Sequence, residues 1–166
     1  ERVGGVYKLV AIEKKGVVEP RIKVSNDSIK TINPGYKKTY RFYDKQNGYA
    51  LGDVVSLALE EINKDHYTLV HPIDTWKRKE LTNYQVKPLL LPIFKRGKLV
   101  YPQPALEEIQ NYCEKQYQIF YEEITRIDNP HEYYVDLSDK LRMLKQNMIK
   151  EHQGKKLVKK LCEERN

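Results

Sequence analysis

The feature that most constrains the fold is a short, almost unbroken apolar run near the start of the chain. Residues 6–12 combine β-branched and aromatic side chains and are too few for an ordinary helix. They predict a strand that is buried on both faces. A tight break at residues 14–16 follows, and residues 17–25 then alternate apolar and polar side chains as a half-buried strand does. This first stretch therefore predicts a β-hairpin with an apolar underside.

The same hairpin carries a row of cations. Arg21 and Lys23 fall on the polar face of the second strand, Lys8 interrupts the apolar run, and Lys37 follows an Asn-Pro-Gly turn. A buried ammonium group needs a partner or an opening to water, so Lys8 is the anomaly. Cations gathered on one side would suit the oxygens of phosphate or pyrophosphate. The alternative is that Arg21 and Lys23 are ordinary exposed charges of a hairpin.

The middle of the chain is predicted to be an antiparallel meander. Strand patterns occupy residues 39–44, 54–59, 67–70 and 89–94, and Pro92 makes the last of them an edge strand or a bulge. The dipeptide at Asn47 and Gly48 predicts a type I′ hairpin turn. Residues 73–86 are polar and irregular, with Trp76 as the expected anchor.

Helices are expected to follow the strands. Apolar residues at three- and four-residue steps predict one amphipathic helix from about Leu106 to Ile127. A second helix is expected to start with Asp136 or Ser138 as its cap and to break at Gly154. The predicted class is thus α+β: antiparallel hairpins or a meander first, then two long helices packed on it. The predicted divisions are a mostly β region at 1–101, a helical hairpin at 102–150 and a basic tail at 151–166.

Composition narrows the function classes without choosing one. The formal net charge is +7, and the cations lie in small clusters separated by acidic residues. Solvated surface, attraction for phosphate-bearing substrates and nucleic-acid binding all remain open. The 13 tyrosines fit packing better than base stacking, because several lie on apolar faces. Apolar runs are too short to span a membrane. Cys113 and Cys162 lack metal-ligand spacing, so they are read as buried or half-buried thiols of a cytoplasmic protein.

No catalytic set is visible in the sequence. The four histidines are scattered, and none has a second ligand at metal-binding spacing. His131 most simply belongs to a turn or a helix end. The chain contains no P-loop and no Gly-x-Gly-x-x-Gly fingerprint, and no serine, histidine and aspartate form a recognisable nucleophilic set.

Five segments, taken in order, carry a resemblance to a known family. They are residues 4–10 (Gly-Gly-Val-Tyr-Lys-Leu-Val), 20–25 (Pro-Arg-Ile-Lys-Val-Ser), 33–37 (Asn-Pro-Gly-Tyr-Lys), 89–101 and 129–138 (Asn-Pro-His-Glu-Tyr-Tyr-Val-Asp-Leu-Ser). Together they resemble the C-terminal part of nicotinate phosphoribosyltransferases, and the likeness runs from Gly4 to about Lys150. The resemblance implies a piece of an enzyme whose catalytic barrel lies upstream.

The resemblance also implies an activity and a role. Family members join nicotinate to phosphoribosyl pyrophosphate, driven by ATP hydrolysis through a phosphohistidine. The phosphohistidine, the base pocket and the Mg²⁺ site are all implied upstream, so this chain should bind no cofactor and be inactive alone. By analogy it forms part of a homodimer interface, and Lys8, Arg21, Lys23 and Lys37 are candidates to face the substrate phosphates on the partner's barrel. The alternatives are a basic nucleic-acid-binding module and a purely structural dimerisation unit.

Overall fold

The computed structural model describes residues 4–25, 30–71 and 73–163, with side chains described as far as residue 154. The chain forms two compact units. The terminal unit contains Glu1–Lys37, Leu57–Leu59 and Ser138–Asn166, and the central unit contains Lys38–Ser56 and Glu60–Leu137. Antiparallel strands come first and the long helices last, which confirms the predicted α+β class.

Short strands and three helices make up the secondary structure of the described residues. In chain order they are β1 (Ala11–Lys14), β2 (Val17–Pro20), β3 (Lys37–Asp44), β4 (Ala50–Leu57), β5 (His66–Val70), β6 (Arg78–Thr82), β7 (Tyr84–Pro88), β8 (Phe94–Lys95), β9 (Lys98–Leu99), α1 (Leu106–Gln118), α2 (Glu122–Thr125), β10 (Val135–Leu137) and α3 (Asp139–Glu163). The two long helices start in different units, α1 in the central unit and α3 in the terminal unit. The predicted divisions at residues 101 and 150 stay a prediction.

The central unit is built on a four-stranded sheet in the order β10-β4-β3-β7. Strand β7 pairs antiparallel with β3, whereas β10 pairs parallel with β4. The core is formed by one residue from each of β3, β4, β5, β6 and β7: Phe42, Val54, Leu69, Leu81 and Tyr84. The Phe42 ring lies 4.9 Å from both the Tyr67 and Tyr84 rings, centroid to centroid. Aromatic contacts of this kind add to the burial of apolar area that holds the sheet together.

The turn between β3 and β4 is not the predicted type I′ turn. That type needs a positive φ at both central residues, and here only Gly48 has one, at 76°. The amide of Gly48 donates to the Asp44 carbonyl at 2.9 Å across a longer loop. Side chains stabilise this loop, because Asp44 Oδ1 accepts from the Gln46 amide at 2.7 Å and Asn47 Oδ1 from the Tyr49 amide at 2.9 Å.

Three predictions for the middle of the chain are wrong. Residues 73–86, expected to be irregular, contain β6 and most of β7, and Trp76 is exposed instead of anchoring them. Residues 89–94 form no strand before the two-residue β8. Helix α1 ends at Gln118 instead of near Ile127, because the Ala50 amide takes the Ile119 carbonyl as its acceptor at 2.7 Å.

The prediction of a buried or half-buried thiol is wrong for Cys113, which is exposed on α1. The Cys162 side chain lies outside the described residues.

The terminal unit contains the predicted hairpin in a shorter form. Only Ala11 and Ile12 of the apolar run belong to β1, and the ladder ends where Ala11 pairs with Pro20. Val6 is 88% exposed and Tyr7 is 95% exposed, so the prediction of a strand buried on both faces is wrong. Nothing in the described part of the chain covers these side chains.

Helix α3 starts as predicted but ends later. Ser138 Oγ accepts from the Leu141 amide at 3.3 Å, which confirms Ser138 as the cap. The helix then continues through Gly154 to Glu163, so the predicted break at Gly154 is wrong. A single glycine costs a helix only about 1 kcal/mol relative to alanine, too little to end one.

Gly35→Ala should destabilise the terminal unit more than Gly16→Ala. Both glycines have a left-handed φ, 87° and 78°. A Cβ on Gly35 would meet Leu57 Cδ2 at 2.9 Å and Leu144 Cδ2 at 3.6 Å, whereas a Cβ on Gly16 would meet nothing within 4 Å. Gly16→Ala therefore measures backbone strain alone, and Gly35→Ala should cost roughly 1–3 kcal/mol more in urea unfolding. Equal losses for the two variants would contradict the packing seen around Gly35.

Candidate functional site

The four cations predicted from the sequence all lie in the terminal unit, but they differ in their surroundings. Lys8 and Lys23 are exposed. Arg21, the residue after β2, is half-buried and forms an ion pair with Glu19 of that strand, and its Nη1 donates to the Pro20 carbonyl at 2.9 Å. The exposed positive charge of this row that is not paired with a described carboxylate therefore belongs mainly to Lys8 and Lys23.

Lys37 has a structural contact in place of a free ammonium group. Its Nζ donates to the carbonyls of Asn33 at 2.8 Å and Gly35 at 2.6 Å, which closes the Asn-Pro-Gly loop. Burial lowers the pKa of Lys37. This loop is joined to the hairpin at Val10, whose carbonyl accepts from both the Arg21 amide at 2.8 Å and the Gly35 amide at 2.7 Å. The hairpin and the loop are thus one connected element.

A buried ionic cluster in the central unit escaped the sequence prediction. Arg41 of β3 donates from Nε and Nη2 to the two carboxylate oxygens of Asp53 on β4, at 2.8 and 2.9 Å. The side chains of Arg41 and Asp53 are only 14% and 8% exposed. Tyr133 donates its hydroxyl to Asp53 Oδ1 at 2.8 Å, and the Arg41 guanidinium lies over the Phe120 ring at 5.1 Å. The signal was present in the sequence: opposite charges on two neighbouring strands that otherwise read as apolar.

This cluster attaches the segment before β10 to the sheet. The Tyr133 and Phe120 rings meet edge to face at 5.0 Å, and the Asp53 amide donates to the Tyr134 carbonyl at 2.8 Å. Gly52 makes room for that approach, because a Cβ there would lie 3.2 Å from the Tyr134 Cβ. The arrangement is a bidentate ion pair with its remaining acceptor satisfied, which is what a buried pair needs to be stable. Its role is architectural.

Tyr133→Phe should lower stability at neutral pH and weaken its dependence on alkaline pH. Burial, with the hydrogen bond to Asp53, raises the pKa of Tyr133 above its ordinary value of 10.0. The unfolded chain therefore loses this proton first, so the stability contributed by Tyr133 is complete below about pH 10 and is lost as the pH rises further. Tyr43 and Tyr84, whose pKa values burial also raises, should keep part of the dependence in the variant.

The measurement is urea unfolding between about pH 7 and about pH 11. At neutral pH the lost hydrogen bond should cost about 1–3 kcal/mol. Tyr112→Phe, at an exposed tyrosine of α1, is the control and should leave stability at neutral pH unchanged. An alkaline slope in Tyr133→Phe identical to that of the wild type would contradict the account.

The central unit also contains an open cleft of about 960 Å³. Its lining includes His71, Lys77 and Lys79 from the β5–β6 hairpin and Glu132 and Tyr134 from the segment before β10. Sequence analysis did not bring these residues together as one site, because their meeting depends on pairing between distant segments. Among the described residues no three His, Cys, Asp or Glu side chains are grouped as metal ligands would be. None of the described helices is long and apolar enough to cross a bilayer.

Comparison with known proteins gives one consistent family. Residues 36–145 match the model of the nicotinate phosphoribosyltransferase C-terminal domain. A nicotinate phosphoribosyltransferase of Bacillus subtilis is 37% identical over 163 residues, which cover 98% of this chain and 33% of that protein. The human nicotinate phosphoribosyltransferase is 32% identical over 143 residues, or 86% of this chain and 26% of the relative.

A solved structure agrees with the sequence matches. The crystal structure of human nicotinic acid phosphoribosyltransferase superposes with a TM-score of 0.66 and 26% identity, covering 80% of this chain and 26% of that one. The chain thus spans about a quarter to a third of the length of these relatives. Of the four predicted cations, only Lys37 lies within the matched residues 36–145. The chain belongs to the nicotinate phosphoribosyltransferase family, in which it corresponds to the C-terminal domain.

Proposed function

We propose that this chain is the C-terminal part of an enzyme that joins nicotinate to phosphoribosyl pyrophosphate. The products are nicotinate mononucleotide and pyrophosphate, a step of NAD biosynthesis that ATP hydrolysis drives, in the cytoplasm. The observation that carries the proposal is the match of residues 36–145 to the C-terminal domain of this family. The B. subtilis relative, which aligns with 98% of the chain, supports it.

Within that enzyme the chain supplies charge instead of a reacting group. Lys8 and Lys23 are exposed, and no described carboxylate forms an ion pair with either. An ammonium group of this kind gains most from a phosphate oxygen, through a charge-assisted hydrogen bond. Arg21 and Lys37 already have local acceptors, so they support the surface and contribute less directly. The substrate phosphates are held in the catalytic barrel of the other subunit.

Exposed apolar surface beside these lysines favours an interface. Val6, Tyr7 and Leu9 flank Lys8 in the sequence, and their side chains are exposed. They belong to the apolar run that was predicted from the sequence to be a buried strand. Burial of apolar area is worth roughly 25 cal/mol per Å², so covering three such side chains is a substantial gain. A homodimer in which this segment lies against the partner's barrel would cover them and would bring Lys8 and Lys23 to the substrate.

ATP and Mg²⁺ enter this proposal only through the enzyme as a whole. Both are assigned to the catalytic barrel, and no step is assigned to a metal held by this chain. The histidine that would carry a phosphoryl group is assigned to the catalytic barrel. In this proposal the chain itself binds no cofactor.

An activity assay tests the division of labour. The 166-residue chain should form no nicotinate mononucleotide from nicotinate, phosphoribosyl pyrophosphate and MgATP. A protein that joins it to the catalytic part of the family should form the product, as should a mixture in which the two parts associate. Turnover by the chain alone would overturn the proposal, and so would a joined, folded protein that makes no product.

A further inference from the structure

The cleft of the central unit holds a cation without a carboxylate partner. Lys79 of β6 is half-buried and donates from Nζ to the Leu51 carbonyl at 2.9 Å. An ammonium group has three donors, and among the described residues no carboxylate lies within ion-pair distance of this one. Its other close neighbour is the Tyr134 ring, 5.3 Å from Nζ to the centroid. Burial lowers the pKa of Lys79, so a bound anion would stabilise its charged form.

A second donor lies on the same face of the β5–β6 hairpin. Leu69 pairs with Lys79, and the His71 amide continues the ladder by donating to the Lys77 carbonyl at 3.1 Å. Side chains two positions apart on a strand share a face, so His71 and Lys77 stand on the same side as Lys79. His71 Nδ1 accepts from the Asp74 amide at 2.9 Å, which places the proton of the neutral ring on Nε2. The Nε2–H group is thus a donor, and its only described acceptor is Glu132 Oε1 at a long 3.5 Å.

The remaining lining limits what the ligand can be. Lys77 is neutralised by Asp74, at 2.8 Å from Nζ to Oδ2. Two exposed carboxylates, Glu123 and Glu132, also line the cleft and oppose a multiply charged anion. Leu51, Ile124 and Tyr134 provide apolar walls. The combination is one half-buried cation, one imidazole N–H donor and apolar surface, which suits a single negative charge on an apolar body.

We propose that this cleft binds a small monocarboxylate with an apolar body. The carboxylate accepts from the Lys79 ammonium and the His71 Nε2–H group, and the apolar part packs on Leu51, Ile124 and Tyr134. This binding site is separate from the function proposed above. Its test therefore measures ligand binding and not turnover.

Benzoate is the probe, titrated into the ¹⁵N-labelled 166-residue protein while the backbone amide signals are followed. Saturable shifts are expected at His71, Lys79 and Tyr134. Lys79→Gln should weaken benzoate binding at least about tenfold, the effect of losing a charged hydrogen bond. The matched control is Lys98→Gln, at an exposed lysine of β9, and it should leave the affinity unchanged.

Two further ligands distinguish the contribution of the negative charge from that of the apolar body. Benzyl alcohol, which lacks the charge, and inorganic phosphate, which lacks the apolar body, should both bind more weakly than benzoate. His71→Phe, which keeps a ring but removes the Nε2–H donor, should also weaken benzoate binding and replaces Lys79→Gln if that variant does not fold. The proposal is overturned by an absence of saturable shifts with wild-type protein, by unchanged affinity in both variants, or by phosphate binding as tightly as benzoate.

Discussion

Arg41→Met should destabilise the central unit by about 3–5 kcal/mol, because it leaves the Asp53 carboxylate buried without its counter-charge. Asp53 is 8% exposed and would keep one described side-chain partner, the Tyr133 hydroxyl at 2.8 Å. The same change also removes the cation that lies 5.1 Å from the Phe120 ring centroid. The measurement is urea unfolding followed by near-ultraviolet circular dichroism, which reports on the tyrosines of the cluster.

Two controls distinguish the buried charge from general damage. Lys77→Met breaks an exposed ion pair with Asp74 in the same unit and should have a small effect. The double variant Arg41→Met with Asp53→Leu replaces the pair by apolar side chains and should recover much of the loss. A double variant as unstable as the sum of its single changes would show that the ion pair is not the cause.

The paired change Lys8→Met and Lys23→Met should raise the KM for phosphoribosyl pyrophosphate by about 100-fold or more in the enzyme that carries this chain. Each lysine is proposed to donate one charge-assisted hydrogen bond to a substrate phosphate, and such a bond contributes about 1.5–3 kcal/mol. The KM for nicotinate should not change, since the base pocket lies elsewhere in the proposed enzyme. Steady-state kinetics with each substrate varied in turn give both values.

The control removes the same charge from the other end of the same hairpin. Lys14→Met with Lys15→Met deletes two exposed lysines beside the turn, and it should leave both KM values close to those of the wild type. An unchanged KM for phosphoribosyl pyrophosphate in the Lys8 and Lys23 variant would leave this surface with a structural role only.

Local patterns predicted the parts of the fold that depend on near neighbours. The alternation of residues 39–44 became β3, and the short run at residues 67–70 became β5. Ser138 caps α3 because its hydroxyl needs only the amide three residues ahead. The family resemblance, based on five short segments in order, is confirmed by the match of residues 36–145.

The parts that could not be predicted depend on distant contacts. Helical periodicity continued past Gln118, but Phe120 and Tyr121 turn toward the Tyr133 and Tyr49 rings, at 5.0 and 4.6 Å between centroids. Strand β10 exists only because it pairs with β4, some 80 residues earlier by its register of Val135 with Asp53. Sequence period alone contains no information about such partners.

The apolar run of residues 6–12 shows a second reason why the sequence pattern failed to predict the structure. Its composition predicted burial, yet Val6 and Tyr7 are almost fully exposed. The pattern is consistent with a surface that another part of the enzyme covers, as in the proposed homodimer. Distance along the chain also explains why the cation row was predicted but the cleft was not: Lys8, Arg21 and Lys23 are close in sequence, whereas Lys79 and Tyr134 are not.

The most direct test of the central claim is activity recovered by mixing two defective enzymes. One carries Lys8→Met and Lys23→Met, and the other is inactivated in its catalytic barrel, so neither forms nicotinate mononucleotide efficiently at low phosphoribosyl pyrophosphate. If the lysines act on the partner subunit, hybrid dimers contain one intact site, and exchange of subunits should restore about a quarter of the wild-type rate. Verified subunit exchange with no recovery above the sum of the two separate enzymes would contradict the account.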